Sequence, residues 1–213
     1  MKIHNYPGFF IDIEGLDGCG SSTQVRLVAK ELKKEGVEIY LTKEPTGGPI
    51  GKLVRQALEG AFNSLPPSSV QMLFAADRGR HLNEEIIPRL KKGEMIVTNR
   101  YAWSSVAFGS INLDKEWLLD LNKDFILPDL TIFIEVSPEV CLERIAKERE
   151  GVELFEKEEK LENAWDAYQW LVAKYWWTQI HVVDGEQEKE KVIQDILQII
   201  SRQPKFKRLK KGK

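Results

Sequence analysis

Residues 9–23 read FFIDIEGLDGCGSST. Phe9, Phe10, Ile11 and Ile13 form an apolar run of strand length. Gly15, Gly18 and Gly20 follow. Without side chains they let the backbone fold tightly, so that amide N–H groups close around an anion. A helix opening at about Ser21 adds its N-terminal amides and its dipole at the same point. Strand, glycine turn and helix in this order make a phosphate-binding loop, spaced G-x-x-x-x-G-K-[ST]. Gly15 and Gly20 fit that spacing, and Ser22 fits the hydroxyl that holds Mg²⁺. Asp17, Gly18, Cys19 and Thr23 complete the stretch that would contact phosphate. One position departs. Ser21 stands where the pattern has a lysine, whose charge sits on the β- and γ-phosphates. The bland alternative is a ligand-free turn, but the strand before it and the amphipathic helix after it both suit a phosphate loop. The departure therefore bears on catalysis more than on fold.

The remaining composition narrows the field. A chain of 213 residues suits one domain with a substantial core. No apolar run is long enough to span a bilayer, and the start MKIHNYPG has no signal-like stretch, so a cytoplasmic location is expected. The net charge of −2 does not advertise nucleic-acid binding. Cys19 and Cys141 are not expected to pair in a reducing compartment. Cys19 reads as a small residue that fits its loop, with a redox-sensitive thiol as the alternative.

Strand-like and helical patterns alternate, which predicts a parallel sheet covered by helices. The spacing predicts helices over 23–34 and 50–58 and a long helix over 68–90. Strands are expected over 38–42, 94–98, 130–136 and 180–183. Helices then start at Pro138 and run over 162–177 and 189–201. The turn KEPTGG at 43–48 and Asn99-Arg100-Tyr101 follow strands, at the sheet edge where ligands bind. Phe74 and Arg78 lie four apart and share a helix face. Pattern alone favours Phe74 as core and Arg78 as the partner of a carboxylate. The aromatics Trp165, Tyr168 and Tyr175 likewise read as core. The stretch 144–160 is dense in charge and reads as a solvated excursion. The tail 205–213, with six basic residues in nine, reads as a frayed end beyond a single domain of residues 1–204.

Four separated motifs now share one order: GLDGCGSST, TKEPTGG with GKLVR, LFAADRGRH, and NRYAWSSVAF. Together they resemble the thymidylate kinases, a family of nucleoside-monophosphate kinases, from about Phe9 to Ile200. The resemblance implies a three-layer P-loop fold, with a five-stranded parallel sheet flanked by helices and a short lid near 144–160. It also implies a homodimer that moves the γ-phosphoryl of ATP to dTMP with Mg²⁺. Phe74 then resembles the aromatic stacked on thymine, and Arg78 the arginine donating to a thymine carbonyl, which reverses the bland reading of that pair. Pro45 resembles the wall of the base pocket. Arg55 and Arg100 resemble the two arginines gripping the dTMP phosphate, a task that suits a planar fork. Ser105 resembles the position reaching the base's polar edge, and Phe108 the aromatic under the sugar. Asp17 resembles an aspartate near the acceptor hydroxyl and the metal.

The departures from the family pattern are Ser21 and also Asn99, which stands where the family has aspartate. Arg149, assisted by Arg144 or Lys147 in the lid-like stretch, is expected to supply the charge that Ser21 lacks, with Lys43 a weaker candidate. Two other readings remain beside dTMP kinase. One is a kinase of another pyrimidine nucleoside monophosphate. The other is a degenerate regulatory protein that binds nucleotide without catalysis.

Overall fold

The computed structural model describes residues 1–62, 65–148 and 154–211. Its centre is the strand β1 (Phe9–Gly15), buried along its whole length. The sheet order is β2-β3-β1-β4-β5, with β2 at Ile39–Lys43, β3 at Met95–Asn99, β4 at Leu130–Glu135 and β5 at Ile180–Asp184. Every neighbouring pair is parallel, as the alternating pattern implies. Parallel strands need crossover connections, and helices supply them. Phe9, Ile11 and Ile13 enter the main core with Val25, Val28 and Leu32 of α1 (Ser21–Lys34) and Ile196 and Ile200 of α9 (Lys189–Arg202). Phe10 turns the other way, to Leu82, Ile86, Leu90 and Tyr101. The remaining helices are α2 (Pro49–Leu58), α3 (Pro67–His81), α4 (Ile87–Lys91), α5 (Ala102–Gly109), α6 (Lys115–Leu121), α7 (Pro138–Glu148), α8 (Leu154–Tyr175) and α10 (Pro204–Lys211).

Several expectations are corrected. The long helix expected over 68–90 is α3 and α4 joined by a wide π turn, Leu82–Ile86. Pro88, in the first turn of α4, lacks an N–H and crowds the preceding turn, and the wider π turn accommodates it. The charge-dense stretch is helical at its described residues, because α8 starts at Leu154 rather than at Glu162. Leu161, Ala164, Tyr168 and Leu171 give that helix its buried face. The tail does not fray through its described part. It forms α10, where Phe206 is buried and the Lys205 ammonium donates to Asp129 at 2.6 Å. The short helices α5 and α6 are additions that the sequence patterns did not mark.

Candidate active site

The loop after β1 is held by close packing. Gly18 has φ +84°, and a Cβ there would lie 2.7 Å from the Cys141 carbonyl oxygen on α7, so only glycine fits. Cys19 is buried, and burial pushes its thiol above the usual range. That leaves Cys19 as packing rather than a reactive thiolate. Gly20 leads into α1, whose first amides have no helical carbonyl to meet and point out of the helix end. Around this end lies a cavity of about 750 Å³. It is lined by the loop from Leu16 to Gln24, by Arg26, Asn99 and Arg144, and by residues 185–189. The expected phosphate residues Asp17, Gly18, Cys19, Gly20, Ser21, Ser22 and Thr23 all face it, whereas Gly15 is not among its lining residues. Asn99 donates from Nδ2 to the Ser22 hydroxyl oxygen at 2.9 Å, and its Oδ1 is buried without a partner among the described residues. Arg144 donates from Nη2 to the Gly185 carbonyl at 3.0 Å. Arg149 lies outside the described residues, and Lys147 is exposed and outside this lining.

A second cavity, of about 540 Å³, opens between α3 and α5. Pro45, Phe74, Arg78, Arg100, Ser105 and Phe108 line it, so six of the seven expected acceptor residues come together. Arg55 does not line it. Its guanidinium donates to the Pro45 and Thr46 carbonyls at 3.0 and 2.7 Å, bracing the turn that carries Pro45. Phe74 is half-buried and faces the cavity instead of filling the core. Arg78 lies on the same face of α3 as Phe74. It lines the cavity, yet it also pairs with a carboxylate, donating from Nε to Glu44 at 2.9 Å. Its Nη1 donates to Asn122, and its Nη2 to the Tyr101 carbonyl and to the Ser105 hydroxyl oxygen at 2.9 Å. His81 Nδ1 meets the other Glu44 oxygen at 3.1 Å. A buried ion pair this fully bonded is fixed in place, and breaking it by removing one partner is costly.

Asp17 and Arg100 line both cavities. Arg100 follows β3 in the left-handed region, φ +71°. A non-glycine residue there costs of order 1 kcal/mol and persists only when its surroundings fix it. Two bonds fix it: its N–H donates to the Ile13 carbonyl at 3.0 Å, and its carbonyl accepts from the Thr98 hydroxyl at 2.9 Å. The backbone thereby aims the guanidinium between the cavities. Nη2 meets Asp17 at 2.8 Å, Nη1 donates to Ser104 at 3.0 Å, and the group lies 4.8 Å from the Phe108 ring centroid. Burial opposes the charge, but Tyr168, Asp17 and Glu14 outweigh it and raise the Arg100 pKa above its ordinary value. The Asp17 side chain is 69% exposed, so one face of the carboxylate stays open beside its pairing with Arg100.

Beneath the junction lies a layer that the sequence reading missed. Glu14 accepts from the Tyr101 and Ser104 amides at 2.9 and 3.1 Å, from the Ser104 hydroxyl, and from the Tyr168 hydroxyl at 2.8 Å. It therefore anchors the N-terminus of α5, which carries Ser105 and Phe108. Asp12, two residues earlier on the same strand face, is wholly buried, and neither of its oxygens has a partner among the described residues. Burial first, then the Glu14 charge, pushes its carboxyl well above the ordinary range. One signal was available: two acids at alternate positions in an otherwise apolar strand. Gln71, Ser104, Tyr168 and Lys160 also went unread as site residues. Tyr168 is buried with the core, as its stripe suggested, but its hydroxyl serves the site.

Comparison with known proteins gives a consistent result. The family model described as Thymidylate kinase matches residues 13–196. A probable thymidylate kinase of Pyrobaculum aerophilum is 36% identical over 200 residues, covering 93% of this chain and 99% of that protein. One from Thermococcus gammatolerans is 32% identical over 204 residues, covering 92% and 97%. One from Pyrobaculum calidifontis is 37% identical over 195 residues, covering 91% and 96%.

Proposed function

The chain belongs to the thymidylate kinase family, and we propose that it moves the γ-phosphoryl of ATP to dTMP, giving dTDP and ADP, across the Asp17–Arg100 junction. The observation that carries the assignment of roles is that this one ion pair borders both cavities. The loop side takes the donor, where helix-end amides meet phosphates. The α3–α5 side takes the acceptor. There Phe74 offers a face for the base, Arg78 a rigidly held guanidinium, and Phe108 an apolar floor under the sugar. Phosphoryl transfer asks little covalent chemistry of the protein, so alignment and positive charge are its main contribution. Arg100 grips the acceptor phosphate and brings charge to the transferring group, and Asp17 stands beside the acceptor oxygen. Arg55 acts one step back, by holding the turn at Pro45.

The loop is atypical because Ser21 supplies no charge. Losing one such electrostatic contribution costs about 10²–10³ in rate. Arg144 is the cation taken to offset it: it borders the donor cavity, as Arg26 and Lys189 also do, and its Nη1 reaches the Cys19 carbonyl of the loop itself at 3.5 Å; Arg149 and Lys147 would assist from the lid. Among the described residues no cluster of three or more His, Cys, Asp or Glu is arranged for a metal. That suits Mg²⁺, which binds phosphate oxygens and water with few protein ligands. Ser22 and Asp17 would hold it, directly or through water, and Asn99 Oδ1 offers an unpaired acceptor for such a water. When bound, Mg²⁺ neutralises phosphate charge.

The same reading includes a homodimer. Leu53, Phe62 and Met72 are exposed on α2, in the link after it and on α3, outside the lining of the acceptor cavity. Such apolar exposure suits a second copy of the chain. Among the described residues no helix is long and apolar enough to cross a membrane, and we assign a cytoplasmic site of action.

The test is ADP release with ATP, Mg²⁺ and dTMP, on the native chain and on Ser21→Lys, with dUMP, UMP, dCMP and dGMP as rival acceptors. Turnover of the native chain that requires dTMP is expected. Preference for another pyrimidine would reassign the acceptor. Nucleotide binding without turnover in either form would favour the regulatory reading.

A further inference from the structure

The face of α3 that carries Phe74 and Arg78 carries a third residue. Gln71 lies three positions before Phe74 and seven before Arg78, a spacing that places all three on one side of the helix. All three line the acceptor cavity. Gln71 is 8% exposed, and its Oε1 is buried with no hydrogen-bond partner among the described residues. Opposite, on α5, Gly109 makes room for it: a Cβ at Gly109 would lie 3.1 Å from the Gln71 amide carbon.

The neighbouring polar groups are already committed. Arg78 engages Glu44, Asn122, Tyr101 and Ser105. The Ser105 oxygen receives Arg78, and the two Glu44 oxygens meet Arg78 and His81. A 2,4-diketo pyrimidine presents one ring N–H between two carbonyls. Burying that N–H in this cavity requires an acceptor, because an unsatisfied buried donor costs about 1–3 kcal/mol. An unpaired amide oxygen carries a cost of the same kind. Rotation of a glutamine about its last side-chain torsion exchanges oxygen and nitrogen. The amide can thus turn its acceptor to a ligand while remaining in the same pocket.

We propose that Gln71 is a specificity residue that accepts the ring N–H of the pyrimidine through its amide oxygen. This rests on the reading of the α3–α5 cavity as the pyrimidine site. The acceptor role selects 2,4-diketo pyrimidines over analogues blocked at that nitrogen. It complements Arg78, whose second Nη1 N–H is the one guanidinium donor that these four bonds leave for the base.

The experiment is a two-by-two comparison. Native chain and Gln71→Met are each assayed with dTMP and with N3-methyl-dTMP, and kcat/KM is measured for all four pairs. The methyl group adds bulk in both proteins, so the ratio of ratios isolates the N–H contact. Gln71→Met is expected to shrink the preference for dTMP about tenfold, mostly through loss on dTMP. An unchanged preference would overturn the proposal. A second measurement needs no variant: in a crystal structure of the native chain with dTMP, the Gln71 amide oxygen should sit within hydrogen-bonding distance of the ring nitrogen, and a separation too long for a bond would overturn it. Failure of the kinase reading is distinguishable, since it appears as absent dTMP-dependent ADP release in the native chain. Calorimetric binding of dTMP against its N3-methyl analogue to both proteins then replaces turnover, with the same expected and overturning ratios.

Discussion

Replacing Asp12 by asparagine should stabilise the protein, and by an amount that grows with pH. Asp12 and Glu14 project from one face of a buried strand. Glu14 receives two backbone amides and two hydroxyls. Asp12 receives none. Its other charged neighbours are Glu44, which repels an ionised Asp12, and Arg78, which favours it but is already paired with Glu44. Burial and the Glu14 charge therefore make Asp12 hold its proton more tightly than a free carboxyl, and the protonated Asp12 can donate to Glu14. An acid whose folded-state pKa is raised binds more protons folded than unfolded. Its stability contribution is complete below the unfolded value, near 3.9, and is lost as pH rises from there toward the folded value. Each pH unit in that window costs about 1.4 kcal/mol. Asparagine has nearly the same shape, donates an N–H to Glu14 and does not titrate. The comparison is urea unfolding of native chain and Asp12→Asn at pH 4.5, 5.5 and 6.5. The advantage of the variant should widen as pH rises, by at most about 1.4 kcal/mol per unit. A gap that stays constant across these pH values, or closes as pH rises, would refute the reasoning.

Three further outcomes are expected. Glu44→Gln leaves the buried Arg78 without its counter-charge and should cost about 3–5 kcal/mol in chemical unfolding, with a higher KM for dTMP because the guanidinium loses its anchor. Arg144→Ala should lower kcat at least tenfold if that residue offsets the neutral loop, and Ser21→Lys placed on top should restore part of the loss; a kcat equal to that of the native chain would remove Arg144 from the transfer step. Phe206→Ala should cost about 3 kcal/mol by loosening α10, visible as a lower Tm, while turnover well below that Tm stays unchanged.

What could be read from the sequence was local. β1, the glycine loop and α1 carry their own signals, an apolar run and then three glycines before a periodic helix, and they appear where those signals put them. α5 escaped notice because AWSSVAFG is apolar almost throughout, and a helix buried on most sides has no amphipathic period to reveal it. The first turns of α8, before the helix expected from Glu162, and the whole of α10 were hidden by their charge: a run of lysines and glutamates reads as solvated chain until a few residues, such as Leu161 and Phe206, are seen to be buried. The acceptor cavity was legible only through the combined motifs. The bonds that hold Arg78 come from Glu44, Tyr101, Ser105 and Asn122, which are distant in sequence and are assembled by the sheet order, so no spacing announces them.

The neutral loop and the arginine after β3 belong to one arrangement. In the sheet β3 lies directly beside β1, with Ile13 opposite Asn99, so the residue following β3 emerges next to the phosphate loop. Asn99 reaches Ser22, and Arg100 reaches Asp17. A lysine at position 21 would serve only the donor phosphates. On the proposed assignment of the two cavities, an arginine at position 100 would serve the place where donor and acceptor meet, across which the charge developing in phosphoryl transfer is shared. Its strained backbone and its bonds to Ile13, Thr98, Asp17 and Ser104 fix the guanidinium before any substrate arrives. Preorganised charge of this kind acts without reorganisation at the moment of reaction. With Ser21 neutral in the loop and Arg100 at the junction, the proposed reading expects Ser21 to lower the rate of the reaction without changing its kind.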